Sequence, residues 1–234
     1  MSNEQFDKDF RDFERLSRMF ELDAVSFIPI EQFRKILFYY EELKHLADVP
    51  GDIVELGLWR ASTLCFLSDM SIILDGPNCS RTSIGFDTFS GFPEGTEFKR
   101  ERDKECQDYF RDTSRDVVLR KIESRPNRRI KILEGDISVT LSTHFGGWAN
   151  RIAMAICDAD TGDTTYAILN QIWKRMAPGG RIYFDEYSRD GWSETDGVDR
   201  FFGENGLPLS LIKRAPGIPI AFVQIDEQIP LCQP

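Results

Sequence analysis

The join between the last two apolar runs constrains this chain more than any other feature. Leu209–Ile212 and Ile220–Ile225 are linked by little more than Lys213-Arg214-Ala215-Pro216-Gly217. A parallel crossover needs about a dozen residues or more, so a Pro/Gly turn of this length implies an antiparallel hairpin. Upstream the spacing is of the opposite kind. Ile53–Leu56, Ser83–Phe86, Ile130–Leu133, Ile152–Cys157 and Arg181–Phe184 are short β-rich runs set far apart, with helical periodicity around Ser62–Ile73, Asp116–Glu123 and Thr164–Met176 between several of them. Such alternation builds βα units and a parallel sheet. The prediction is an α/β protein with a sheet of five parallel strands closed by an antiparallel C-terminal hairpin.

Ahead of the sheet, Phe6, Phe10, Phe13, Leu16 and Phe20, then Phe33, Ile36, Leu37, Tyr40 and Leu43 after Pro29, recur at helical spacing. Residues 1–48 are therefore read as a helical extension that packs on the core, meets a second copy in a homodimer or covers a site; residues 49–234 are read as one domain. A chain of 234 residues with 41% hydrophobic and 29% charged residues has the profile of a folded globular protein. Its net charge of -10 repels nucleic acid phosphates and anionic lipid, which argues against both as partners. Among the five cysteines, Cys65 and Cys157 lie in apolar runs and are expected to pack as small hydrophobes. With no apolar signal core and no run near the roughly 20 residues that span a bilayer, the expected location is the cytoplasm.

Two acidic clusters end apolar runs: Asp158-Ala159-Asp160 after Ile152–Cys157, and Asp185-Glu186 after Arg181–Phe184. In an open α/β sheet the ligand crevice lies outside the carboxyl ends of the strands, so these acids can converge. Asp158, Asp185 and Glu186 form a candidate Mg²⁺ set, because that cation takes oxygen ligands and commonly only a few carboxylates. The first run continues Glu55-Leu56-Gly57-Leu58-Trp59-Arg60-Ala61-Ser62, where Gly57 lets a ligand approach the backbone and the next helix start offers free N–H groups. The second ends in Asp87-Thr88; its acid suits the two hydroxyls of a ribose, or is simply a loop acid. The third ends in Glu134-Gly135-Asp136-Ile137, a surface turn or an adenine-binding edge. His45 and His144, the latter placed in a loop, are read as structural. Trp192 and Tyr187 either flank an acceptor or seal the core. Lys99–Arg115 reads as a mobile insertion above the strand ends, with Lys99–Glu105 as solvated charge.

Taken in order, Pro50-Gly51-Asp52-Ile53-Val54-Glu55-Leu56-Gly57-Leu58-Trp59-Arg60, Phe86-Asp87-Thr88-Phe89-Ser90-Gly91-Phe92-Pro93, Cys157-Asp158-Ala159-Asp160 with Thr164-Thr165, Ala177-Pro178-Gly179-Gly180 and Phe184-Asp185-Glu186-Tyr187 resemble the macrocin O-methyltransferase (TylF-like) family of class I S-adenosylmethionine-dependent methyltransferases. The resemblance implies S-adenosylmethionine as methyl donor. Glu55, Gly57, Arg60 and Ser62 would surround its methionine part, Asp87 and Thr88 its ribose, and Asp136 and Ile137 its adenine, with Asp158 also in contact. Asp158, Asp185 and Glu186 would fall on the family's Mg²⁺ ligands and Asp160 on its general base. An alcohol is a poor nucleophile until it loses its proton, and a positioned carboxylate can take it. The implied acceptor is a hydroxyl on a sugar-bearing small molecule or polysaccharide, with a phenol or catechol as the alternative.

Three departures from the family pattern stand out. Ala61-Ser62 replaces a glycine pair and adds bulk near the donor's carboxylate, Asp185-Glu186 replaces a pair of aspartates, and Thr161-Gly162 replaces Leu-Tyr and removes an aromatic wall from the acceptor pocket. Two rivals follow from the same residues. Asp158-Ala159-Asp160 is also the Asp-x-Asp of a Mn²⁺-dependent glycosyltransferase, and Ala61 with Glu186 would suit a non-catalytic binding protein on this fold.

Overall fold

The computed structural model describes residues 28–76, 80–100, 104–105, 108–124, 128–145, 151–217 and 219–226. Seven strands form one sheet: β1 (Asp52–Leu56), β2 (Ser83–Asp87), β3 (Ile130–Glu134), β4 (Ile152–Cys157), β5 (Met176–Phe184), β6 (Lys213–Arg214) and β7 (Ala221–Gln224), in the order β3-β2-β1-β4-β5-β7-β6. The first five pair parallel, while β7 pairs antiparallel with β5 and with β6. The chain runs outward from β1 to β3 and then returns to β4 on the other side of β1. That reversal places a topological switch point, the usual ligand crevice, between β1 and β4.

Helices α1 (Ile30–His45), α2 (Ser62–Asp75), α3 (Arg115–Glu123), α4 (Ile137–Phe145), α5 (Gly162–Ile172) and α6 (Glu194–Glu204) cover the sheet. From Met154 onward the side chains of β4 alternate between its faces, as a pleated strand requires, and a register shift sets Ile152 apart from that alternation. Ile152, Ala155 and Cys157 pack with Leu141, Ile168, Leu169, Val198 and Phe201 of α4 to α6. Met154 and Ile156 pack on the other face with Tyr39 and Leu43 of α1 and Leu67 of α2. Every residue of β4 is buried, which explains why the sequence there is a continuous apolar run rather than an alternating one.

Helix α1 turns a slightly different face inward than its apolar spacing suggests. Tyr39 and Leu43 are buried, whereas Leu37 is 60% exposed. A buried polar contact sets the rotation: the Glu42 carboxylate accepts hydrogen bonds from the Tyr183 hydroxyl and the Arg181 guanidinium of β5, both at 2.5 Å. The other heptad-like run, Phe6 to Phe20, lies outside the described residues, as do 146–150 beside His144.

The closing hairpin is present but shifted along the chain. Leu209–Leu211, expected as strand, forms a 3-10 turn after Pro208, whose fixed φ and missing N–H suit a turn better than a ladder. Only Lys213 and Arg214 pair with β7, so residues expected in the turn form the strand. β5 begins at Met176 rather than Arg181, and α5 ends at Ile172, with a 3-10 turn over Trp173–Arg175 between them. Two helices go beyond the sequence expectation. α4 places His144 in its last turn instead of a loop, and α6 is short and carries two glycines. Cys65 and Cys157 are buried free thiols, as their apolar surroundings suggested. Among the described residues no helix is long and apolar enough to cross a membrane.

Candidate active site

The carboxyl ends of β1, β2, β3 and β4 open into a cleft of about 700 Å³, counted out to its open mouth, whose lining includes Gly57, Asp87, Asp136, Ile137, Asp158 and Asp160. Six residues singled out from sequence thus share one cavity. Thr88 lines it too. Gly57 has φ +98°, and a Cβ there would stand 1.8 Å from the Asp158 carbonyl oxygen, so the close approach of β1 to β4 by itself demands glycine. Asp87 is held by main chain: Oδ2 accepts from the N–H groups of Leu58 (2.7 Å) and Trp59 (2.9 Å), and Oδ1 from Phe89 (2.6 Å). Each donor already in place fixes the carboxylate for an incoming hydroxyl at a remaining lone pair. Asp136 caps α4, its Oδ1 accepting from the Ser138 N–H at 2.8 Å and the Ser138 hydroxyl at 2.6 Å. The Thr88 hydroxyl is bonded to the Gly91 carbonyl.

Aromatic side chains wall this cleft. Phe110 meets Trp59 with centroids 6.0 Å apart and Phe92 at 5.8 Å, both edge to face. Arg60 is tied down beside them, pairing with Asp112 and stacking on Trp59, while the Trp59 indole N–H donates to Asp112 at 2.6 Å. Lys99 and Arg100, expected as solvated charge, remain about half exposed and pair with Asp163 of α5 and Asp196 of α6. Long cations pointing back over acidic helix starts find partners that sequence separation hides.

A second cavity of about 990 Å³ lies between α1 and the end of β1, bordered by Lys35, Tyr39, Glu55, Arg60, Ser62 and Asp158. It adjoins the first at Trp59 and Asp158, which line both. Burial, reinforced by the nearby Asp185 and Asp87, pushes the Glu55 carboxyl up to about 8, against the opposing pull of Lys35. Its Oε2 has no hydrogen-bond partner within the protein, and the same is true of the Tyr39 hydroxyl. Ala61 sits in the left-handed region (φ 52°, ψ 29°) at the start of α2 and is fully buried; the Ser62 hydroxyl accepts from the Lys121 ammonium at 2.7 Å.

Beyond Asp158 the site becomes crowded with acids. Burial, then repulsion from Asp185 and Asp160, raises the Asp158 carboxyl well above its ordinary range. Burial also raises Asp185, against Lys35 and Arg189, and its Oδ1 has no partner within the protein. Asp160 is 7% exposed and holds a left-handed φ of 61°, the kind of strain that recurs at functional sites. The Glu186 carboxylate is clasped by Arg189, whose Nη1 donates to both oxygens at 2.7 and 2.8 Å. Glu194 was missed from sequence. Fully buried at the first position of α6, it accepts from the Glu186 N–H at 2.9 Å through one oxygen and has no partner for the other. An acid in the first turn of a helix was its available signal. Among the described residues no three His, Cys, Asp or Glu side chains gather closely enough to hold a metal ion as they stand.

The Thr161-Gly162 departure has a packing explanation. A Cβ on Gly162 would lie 2.5 Å from the Ser193 carbonyl oxygen, and one on Gly197 would lie 2.1 Å from the Gly162 carbonyl oxygen. The Gly162 N–H donates to the Ser193 hydroxyl at 3.0 Å. Helix α6 therefore occupies the space that a bulky pair after Asp160 would claim.

The sequence from 24 to 213 matches the family of macrocin-O-methyltransferase (TylF). The chain belongs to that family. A TylF relative from Streptomyces olivaceus, 8-demethyl-8-(2,3-dimethoxy-alpha-L-rhamnosyl)-tetracenomycin-C 4'-O-methyltransferase, is 28% identical over 71% of this chain and 65% of its own length. Mycinamicin III 3''-O-methyltransferase from Micromonospora griseorubida is 26% identical over 59% of this chain and 56% of its own. The chain thus spans less than two thirds of the length of these curated relatives. Among solved structures, the O-methyltransferase NovP superposes with a TM-score of 0.70 at 19% identity, covering 83% of this chain and 80% of NovP. The calicheamicin methyltransferase CalS11 gives 0.69 at 21% identity, covering 96% and 93%. This TylF-family chain therefore has the class I methyltransferase fold that the family resemblance implied, built on the five parallel strands and closing hairpin expected from its strand pattern.

Proposed function

We propose that this protein transfers the methyl group of S-adenosylmethionine to a hydroxyl on a sugar carried by a small molecule or polysaccharide. The observation that carries the reading is one cleft lined by Asp87, Asp136, Ile137, Asp158 and Asp160, in which the candidate ribose and adenine contacts lead directly to a strand end rich in carboxylates. The names of the TylF relatives from Streptomyces olivaceus and Micromonospora griseorubida support O-methylation, and the rhamnosyl group named in the first supports a sugar acceptor.

In this reading Asp87, oriented by three main-chain N–H groups, accepts from the ribose hydroxyls, and Ile137 packs on the adenine. Asp160, held at the cleft by its left-handed backbone, takes the proton of the acceptor hydroxyl as the oxygen attacks the methyl carbon. The sulfonium supplies the electrophile, so the protein need only orient, deprotonate and exclude water. Trp59, Phe92 and Phe110 supply the apolar wall that does the last of these.

Mg²⁺ is part of the proposal, and Asp158 with Asp185 are the residues that would hold it. The fit rests on the unpartnered Asp185 oxygen and on two carboxylates whose burial a cation would relieve; Mg²⁺ commonly binds through one or two carboxylates and keeps several waters. Glu186 joins them only by exchanging Arg189 for the ion. When bound, the cation would supply positive charge against the developing alkoxide.

The test is release of S-adenosylhomocysteine from glycosylated acceptors by EDTA-treated protein, with and without added Mg²⁺. Turnover that appears only with a glycosylated acceptor supports the reading. Transfer to aglycones or catechols alone would overturn the acceptor class, and full turnover by metal-free protein would remove the ion from the mechanism.

A further inference from the structure

The cavity under α1 is built for an occupant with both signs of charge. On its sheet side stands Glu55, buried and with one carboxylate oxygen unpartnered. On its helix side stands Lys35, near enough to Glu55, Asp158 and Asp185 to pull all three carboxyls downward. Between them the Tyr39 hydroxyl is 0% exposed and has no hydrogen-bond partner within the protein. A fully buried phenolic hydroxyl left without a partner costs free energy, so its place in the lining of a cavity points to a ligand atom. The same cavity receives the start of α2 at Ser62 and Thr63; Ala61, the residue before the helix, offers no side-chain cap, and Glu55 accepts from the Leu64 N–H in the first turn.

An acid on the sheet wall and a cation on the helix wall match an α-amino acid, whose ammonium and carboxylate are separated by one carbon. We propose that α1 reads the amino-acid end of the methyl donor: Lys35 pairs with the α-carboxylate and the Tyr39 hydroxyl hydrogen-bonds to the same head group, opposite Glu55. This rests on S-adenosylmethionine being the donor, and it assigns the N-terminal helix a part in donor binding besides its packing role. It also gives a reason for the single wall shared by the two cavities, because Trp59 and Asp158 stand where the adenosine and amino-acid halves of one ligand would meet.

Calorimetry on the full chain tests this with two probes. S-adenosylhomocysteine carries the amino acid, and 5'-methylthioadenosine keeps the adenosine and thioether but lacks it. Lys35→Met is expected to weaken S-adenosylhomocysteine by about tenfold to a hundredfold, the loss of one charge-assisted contact. Its affinity for 5'-methylthioadenosine should stay within about twofold. Tyr39→Phe should weaken S-adenosylhomocysteine by about three- to tenfold without lowering the thermal midpoint of the ligand-free protein, since the hydroxyl it removes has no partner there. Equal losses for both probes, or no loss for either in both variants, overturn the assignment while leaving the donor intact. Wild-type protein that binds neither probe overturns the donor reading itself, and the assignment with it.

Discussion

The two halves of the strand-end crevice treat their carboxylates differently. On the β2 and β3 side, Asp87 is met by three main-chain N–H groups and Asp136 by the first turn of α4, so the protein itself satisfies them. On the β4 and β5 side, Asp185 and Glu194 are buried and Asp158 half-buried; burial pushes all three carboxyls upward, repulsion from Asp185 adds to it at Asp158 and Glu194, and oxygens of Asp185 and Glu194 have no partner within the protein. One half is finished before any ligand arrives; the other is left short of positive charge and donors. Preorganised hydrogen bonds hold a binding surface at little cost on ligation, whereas an incomplete acidic cluster keeps stability in reserve for whatever completes it.

The largest effect should come from the incomplete half. Asp160→Asn is expected to lower single-turnover rate by about 10²–10⁴ with donor affinity nearly unchanged, the usual contribution of a general base. A comparable loss of Mg²⁺ affinity in the same variant would make Asp160 a ligand instead. On the finished half the sign of the effect moves from rate to stability. Asp87→Ala should cost about 2–4 kcal/mol in chemical denaturation, because it strands several main-chain N–H groups, and should weaken S-adenosylhomocysteine about tenfold or more. Asp185→Asn should cost little in the same unfolding experiment; if it proves as destabilising as Asp87→Ala, the contrast between the halves fails.

Acidity supplies a third comparison. Glu55 has an ordinary carboxyl in the unfolded chain, near 4.3, and one pushed up to about 8 when folded. Between those values the folded protein holds a proton that the unfolded chain has released, so its contribution to stability falls as pH rises through the window and is flat above it. Denaturation midpoints from pH 5 to 8 should show Glu55→Gln flattening that fall by about 1 kcal/mol per pH unit. A slope unchanged by the substitution would place the titrating proton elsewhere in the cluster. The smallest effect belongs to Ala61→Gly. Relief of a left-handed alanine is worth about 1–2 kcal/mol, but glycine's entropy and the lost buried methyl offset it, so the thermal midpoint should move by only a few degrees.

Much of the frame was legible because it depends on local rules. Apolar runs with turn residues at their ends located β1 to β5, and the short link before Ile220 required an antiparallel closure. The ends of those strands then named Asp87, Asp136, Asp158 and Asp160, all of which line one cleft. What sequence did not show was which partners these groups meet. Arg189 clasps Glu186 from a loop, Glu194 enters from the acidic first turn of a helix whose apolar face, Val198, Phe201 and Phe202, lies further along, and Tyr39 displaces Tyr40 from the buried face because Glu42 bonds to β5. Each depends on a contact between elements, to which periodicity is blind. The two-residue β6 was obscured for a similar reason, since Leu209–Ile212 has the composition of a strand but begins after Pro208 and packs as a turn.

The glycine contact between α5 and α6 ties acceptor choice to the acidic cluster. Because a side chain at position 162 would run into the Ser193 carbonyl, grafting the bulky pair of other family members here would lever α6 outward rather than rebuild a wall. Glu194 opens that helix and holds the Glu186 main chain, so the lever would reach the carboxylates themselves. Under the proposed function, changing Gly162 to alter the acceptor would therefore disturb the acidic cluster at the same stroke, and a change of acceptor is better sought at Phe92 and Phe110.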